Sequence, residues 1–392
     1  MKITILECKR IVSRIILLGF LVFVLVVSVY ESQRNLNRYN VRSTQGIAIS
    51  WKDNLSGAKS ASRGLYLDKK CMESLRENAN LYGYLNGDNI MELIAYNYER
   101  KTLEELSDNE MDRFFQIRAE TIHENLVLDT KMDYTDEEIA DFMDKAESLS
   151  ALSMEYAEGW KALAEKMGNF VFLIVIMISV LVLPLFGRDP AVRMEELVRS
   201  SRYGKKQLDM ARITAAYLTA TVLYVCSIVI YFIIVMLPFG FDGANQPIQS
   251  NARTFYSLYK ITYLQQFLWN LFRGYVVLIF MVSLTLIVTI LLKNILAGAS
   301  VIALFLVMLV IFDQVYLYPV NHWFTNFMPV RMTDFRHFYT GNELYRICGL
   351  SISCMSWSIV VSLILSAICL ASGLIALHCN RKKGRIKNEK KI

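Results

Sequence analysis

Few side chains in this sequence are placed to do chemistry. The pair Gly204–Lys205, in the run RYGKKQ, has the ending of a phosphate-binding loop, in which glycines let backbone amides surround a phosphate. Arg199 stands where that loop requires its first glycine, so the chain does not build the loop. HExxH and GxSxG are absent. The four histidines, His123, His322, His337 and His378, are scattered along the chain. The seven cysteines, Cys8, Cys71, Cys226, Cys348, Cys354, Cys369 and Cys379, form no CxxC pair and no metal-ligand spacing. Asp313, in VIFDQVY, lies near the end of a long apolar run. A carboxylate there is a candidate intramembrane polar site, and a hydrated or helix-paired aspartate is the plainer reading. A proton relay across a bilayer would need more groups than this one. No catalytic constellation forms, and the expectation is a non-enzyme with no cofactor and no metal of its own.

What must position these residues is an apolar scaffold. Of 392 residues 54% are hydrophobic, and mean hydropathy is +0.33. A membrane-crossing helix needs about 20 mostly apolar residues to span roughly 30 Å of hydrocarbon. Six runs qualify, at 11–30, 169–186, 213–237, 275–292, 295–318 and 357–377. The first has a basic flank (Lys2, Lys9, Arg10, Arg14) but no small-x-small pattern after it, and reads as an uncleaved helix. The fold class expected is an all-α polytopic membrane protein.

Six crossings sort the polar segments into two sets. Segments 1–14, 187–212, 293–294 and 378–392 together carry 19 Lys and Arg in about 57 residues. Lysine and arginine beside helix ends resist translocation, which places this short basic set, with both termini, in the cytoplasm. Segments 31–168, 238–274 and 319–356 then lie outside a cell membrane. The tail RKKGRIKNEKK at 381–391 suits anionic lipid, or serves as a topology signal alone. No nucleic-acid partner is expected.

Segment 31–168 has 26 acidic and 17 basic residues and reads as a helical extracellular domain. SDNE at Ser107 and TDEE at Thr135 are capping-box patterns that start helices. Apolar residues after the second keep helical spacing into the next apolar run, predicting one helix over 136–186, roughly 75 Å long. Segments 238–274 and 319–356 are aromatic and amphipathic, like chain lying at a membrane interface.

The run EELVRSSRYGKKQLDMARI, at 195–213, joins two apolar runs with a cluster of charge. By spacing alone it serves equally as a docking surface for another protein or as a solvated basic loop. Its sequence resembles the cytoplasmic loop between the second and third helices of ABC-2-type transporter permeases. Ser200, Ser201, Arg202, Tyr203, Gly204 and Lys205 match that loop's pattern. Asp189 stands at its acidic position and Arg212 at the basic residue opening the third helix. Arg193–Met194 departs from the Gly-Thr common there. EYAEGWKAL at 155–163 is similar to an element entering the second helix of long-ectodomain members, and NQPIQ at 245–249 to one after the third.

The resemblance covers about residues 150–378 and the first helix. It implies a dimer of six-helix permeases, identical or paralogous, each contacted by a separate ATPase that holds the ATP and Mg. It also implies a coupling element made of Asp189, Glu195, Glu196, Arg199, Ser200, Ser201, Arg202, Tyr203, Gly204, Lys205 and Arg212. Export of a peptide, lipid or envelope-active compound is the expected function. The alternative is a membrane sensor or signalling receptor whose extracellular domain binds a ligand. A polytopic transferase would need polar residues gathered at one membrane face.

Overall fold

Ser13 divides the first apolar run. Its backbone is extended (φ −66°, ψ 159°) and its hydroxyl accepts the Ile16 amide at 3.4 Å, a capped helix start. Helix α1 (Lys2–Ile11) therefore stops short of α2 (Arg14–Asn37), which begins three residues later than its apolar run and continues past it. The computed structural model describes residues 2–42, 48–79, 81–191, 204–315 and 317–389, and about three quarters of the chain is helical.

A polar domain follows. Strands β1 (Val41–Arg42) and β2 (Ala48–Ile49) pair antiparallel and lead into α3 (Trp51–Ala61). After β3 (Tyr66–Leu67) come α4 (Lys69–Glu77), α5 (Tyr84–Asn97), α6 (Asp108–Asp112), α7 (Phe114–Leu128) and α8 (Asp136–Glu147). Both capping boxes read from sequence are formed: Ser107 with Glu110 opens α6, and Thr135 with Glu138 opens α8. Leu67, Met72, Leu75, Ile90, Leu93, Ile94 and Phe114 make the domain's apolar core, joined by Phe255 from the later segment.

The single helix expected over 136–186 is not formed. It is broken at 148–157, where β4 (Leu152–Ser153) pairs with β3, Leu67 opposite Leu152. Both leucines are fully buried, so apolar spacing that continues a helical pattern here serves a strand in the domain core. A new helix, α9 (Glu158–Val182), starts beyond the break. Pro184 then opens α10 (Pro184–Ala191), a residue that supplies no backbone donor and fits a helix's first position.

Next come α11 (Gly204–Met236), α12 (Tyr263–Leu292) and α13 (Ile295–Gln314). Short helices α14 (Tyr318–Trp323), α15 (Pro329–Thr333) and α16 (Phe335–Thr340) lead to the hairpin β5 (Leu344–Ile347) and β6 (Leu350–Ser353), then to α17 (Cys354–Glu389). Cys348 and Gly349 turn the hairpin with positive φ at both positions (51° and 81°), the geometry that matches strand twist in a two-residue turn.

Six helices are long and apolar enough to cross a membrane: Arg14–Asn37, Glu158–Gly187, Lys206–Met236, Tyr263–Leu292, Ile295–Gln314 and Cys354–Asn380. Even the shortest, 20 residues, reaches about 30 Å. The architecture is all-α and polytopic, with small two-stranded sheets only in the polar parts among the described residues. α9 and α12 sit at the centre, with Val171, Ile174, Val175, Val282 and Met281 fully buried. α13 turns Leu296, Leu304, Val307 and Ile311 outward, the apolar exterior that a lipid-facing helix carries.

Segments 238–274 and 319–356 pack in part into the fold. Phe255 enters the polar domain's core, and residues from Tyr263 onward form the first turns of α12. Gly168 of α9 lets α15 approach: a Cβ there would stand 2.1 Å from the Thr333 carbonyl oxygen.

Candidate functional site

Two polar regions hold the residues that the sequence singles out, one at each end of the helix bundle. At the end where α1, α10 and α11 meet, Glu195, Glu196, Arg199, Ser200, Ser201, Arg202 and Tyr203 lie outside the described residues. The backbone of Asp189 falls within α10, and Gly204 and Lys205 open α11. Arg212 is described fully. It is buried, its Nε 3.7 Å from Glu7 Oε1 on α1 and its guanidinium 5.6 Å from the Phe186 ring on α10. α1 also reaches α11 through Cys8, whose thiol points to the Ala215 carbonyl at 3.9 Å. One side chain, Arg212, thus touches the first helix and the end of the second span from the start of the third.

At the opposite end a cavity of about 490 Å³ opens between α9, α13, α15 and α16. Asp313 lines it, and its Oδ1 meets Arg331 Nε of α15 at 2.6 Å. Asp313 is therefore the helix-paired aspartate, one half of an ion pair that ties α13 to a short helix. Arg331 also lies 3.9 Å from Asp334 Oδ2. Across the cavity both Glu165 carboxylate oxygens accept from Arg38 Nη1, at 3.0 and 2.8 Å, and Glu165 stands 3.2 Å from Arg253 Nη1. Glu165, Asp313 and Asp334 are matched around the wall by Lys166, Arg253 and Arg336. Such a balanced lining suits a polar or zwitterionic occupant better than a highly charged one.

Beside this cavity a smaller one, about 230 Å³, is closed by Glu158, which accepts from Tyr39 at 2.8 Å, Asn89 at 2.9 Å and Lys161 at 2.9 Å. Burial first, then the Glu158 carboxylate, pushes the Tyr39 phenol well above its ordinary pKa and keeps it a proton donor.

Three features escape the sequence reading. Arg273, in the first third of α12, is almost wholly buried, donates to the Met355 carbonyl at 3.2 Å and lies 3.6 Å over the Phe338 ring. Arg118, also buried, donates to the carbonyls of Phe255, Ala146 and Ser257. Two of the histidines taken as scattered are drawn together: His337 shares a cluster with Glu343 and Cys354, and His322 adjoins it. No signal of spacing could reveal that cluster, because its members come from α16, the hairpin's approach and the start of α17. Cys71 is buried in the polar domain and Cys348 exposed in the hairpin turn, both as free thiols.

No family model, curated protein or solved structure matches the chain. The physical content of the two regions remains: a buried arginine linking three helices at one end, and a charge-balanced cavity at the other.

Proposed function

We propose that the chain is the membrane-spanning permease subunit of an ABC-2-type transporter, in a cell membrane with residues 31–168 outside. It pairs with a second permease copy or paralogue and exports a peptide, lipid or envelope-active compound. A separate ATPase subunit, holding ATP and Mg, docks on segment 187–212 and supplies the energy.

The observation that carries this reading is the run SSRYGK in the sequence, whose Gly204 and Lys205 open α11, continued to a buried Arg212 in contact with Glu7 and Phe186. A displacement of the segment acts through packed side chains on the short helix α1, on Phe186 at the end of the Glu158–Gly187 span and on the start of α11 together. That is the mechanical requirement for turning partner closure into helix rearrangement, because packed elements move as units. The six-helix architecture and the absence of a phosphate-binding loop in the sequence support the division of labour.

The test is purification of the tagged chain from its own membranes in mild detergent, with and without the double substitution Arg202→Glu and Lys205→Glu. The native chain should bring down an ATPase with a phosphate-binding loop, and the double variant should lose it while still inserting in the membrane. Isolation of the native chain alone, with ligand response independent of any ATPase, would favour a receptor instead.

A further inference from the structure

We propose that His337, Glu343 and Cys354 form a binding site for a divalent transition-metal ion, zinc by preference, which fastens the start of α17 to α16. One ligand atom from each of the three lies within 4.8 Å of the other two. In a tetrahedral zinc site with bonds of about 2.0–2.3 Å, neighbouring donor atoms stand roughly 3.3–3.8 Å apart. Side-chain rotations of about an ångström therefore close the cluster around an ion.

The donor set selects the ion. An imidazole, a carboxylate and a thiolate together suit borderline-soft zinc, whereas calcium and magnesium take oxygen ligands. Binding exchanges the Cys354 proton for the ion, and the thiolate and carboxylate then balance its two positive charges. That neutrality matters, since the Arg273 guanidinium beside Phe338 and Arg331 add positive charge to the neighbourhood.

The surroundings are those of a supported site. Glu343 Oε2 accepts from Asn326 Nδ2 at 2.5 Å, and the Glu343 carbonyl accepts the Cys354 amide at 2.8 Å, which fixes the base of the hairpin. His322 Nδ1, buried, stands 3.6 Å from Glu343 Oε2. Its ring is stacked on Tyr345 at 4.2 Å, so it is held where it can orient the carboxylate. Glu343 also lines an open cavity of about 960 Å³ whose wall includes Glu137, Glu138 and Asp141, which gives an ion a way in from solvent.

The experiment uses the full chain in detergent, stripped with a chelator and titrated with Zn²⁺ or Co²⁺. One ion per chain, a thiolate-to-cobalt charge-transfer band, and a chelator-reversible rise in melting temperature are expected. Cys354→Ser should abolish the band. His337→Asn, which keeps the ring's polar bulk in part, should weaken binding at least tenfold, while Cys348→Ser, in the exposed turn, leaves everything unchanged. Should Cys354→Ser fail to fold, the His337→Asn titration and the native melting shift decide. No zinc-dependent shift in the native chain, or a band that survives Cys354→Ser, or moves with Cys348→Ser, overturns the site.

Discussion

Arg346 of the β5–β6 hairpin forks onto Glu138 of the polar domain, Nε to Oε1 at 3.1 Å and Nη2 to Oε2 at 2.6 Å, across 208 positions of sequence. The same carboxylate accepts Ser351 Oγ at 2.5 Å and caps its own helix through the Thr135 amide at 3.0 Å. One side chain thus starts α8 and clamps the hairpin that precedes α17.

This pair makes a pH prediction. The Arg346 hydrogen bonds, working against burial, lower the Glu138 pKa from 4.5 to about 2. A folded-state pKa below the unfolded one adds stability that is present above about pH 4.5 and lost as pH falls toward 2. Glu138→Gln should lower the melting temperature at pH 7, with a cost of about 1–3 kcal/mol for charge-assisted bonds. The gap between variant and native chain should narrow through that acid window. A gap that stays constant from pH 7 to 3 would refute the assignment.

Arg118 carries a second prediction. Its guanidinium is buried, pulled down to a pKa of about 10 by loss of water, and so still charged at neutral pH. It donates to three carbonyls, at 2.9, 3.2 and 3.0 Å, from the 238–262 segment and the end of α8. Arg118→Met strands these acceptors, at about 1–3 kcal/mol for each that finds no water. Arg118→Lys keeps the charge but not the fork, and should fall between. Limited proteolysis should cut the polar domain faster in the order Met, Lys, native; equal rates would show that the fork does not hold the domain to 238–262.

Glycine positions give a contrast that separates packing from propensity. Gly168→Ala puts a Cβ 2.1 Å from the Thr333 carbonyl oxygen, so α15 must move off α9. Gly19→Ala in α2 meets nothing within 4 Å and gains helix propensity of up to about 1 kcal/mol. Thermal melting should drop for the first and hold or rise for the second. Equal effects would remove the claimed α9–α15 contact.

All six membrane-length helices are legible in the sequence, because a run of some 20 apolar residues has few other uses. Their polar ends are not. Asn35 extends α2, and Gln266 and Asn270 extend α12, yet all three are buried, Asn270 accepting from Tyr339, where hydropathy counts them as loop. The broken stalk fails for the opposite reason, since Leu152 satisfies helical spacing while serving a strand. Around Asp313 the sequence could suggest pairing but not the partner. Arg331 comes from a segment whose aromatics read as an interfacial belt, and only the turn into α15 brings it near. His337, Glu343 and Cys354 follow no motif and meet through tertiary structure alone.

The Asp313–Arg331 pair separates a structural tie from a polar transport group. Both side chains are only partly exposed, 21% and 15%, so removing one partner leaves the other charge poorly compensated. Asp313→Asn and Arg331→Met should each destabilise the chain by about 1–3 kcal/mol, and the double variant by less than the two together. Coupling of this sign, read from melting temperatures of all four proteins in one detergent, identifies the pair as a clamp between α13 and α15. If Asp313→Asn melts like the native chain and the double variant equals Arg331→Met, the aspartate holds nothing in place. Its value would then have to lie in what enters the 490 Å³ cavity that it lines.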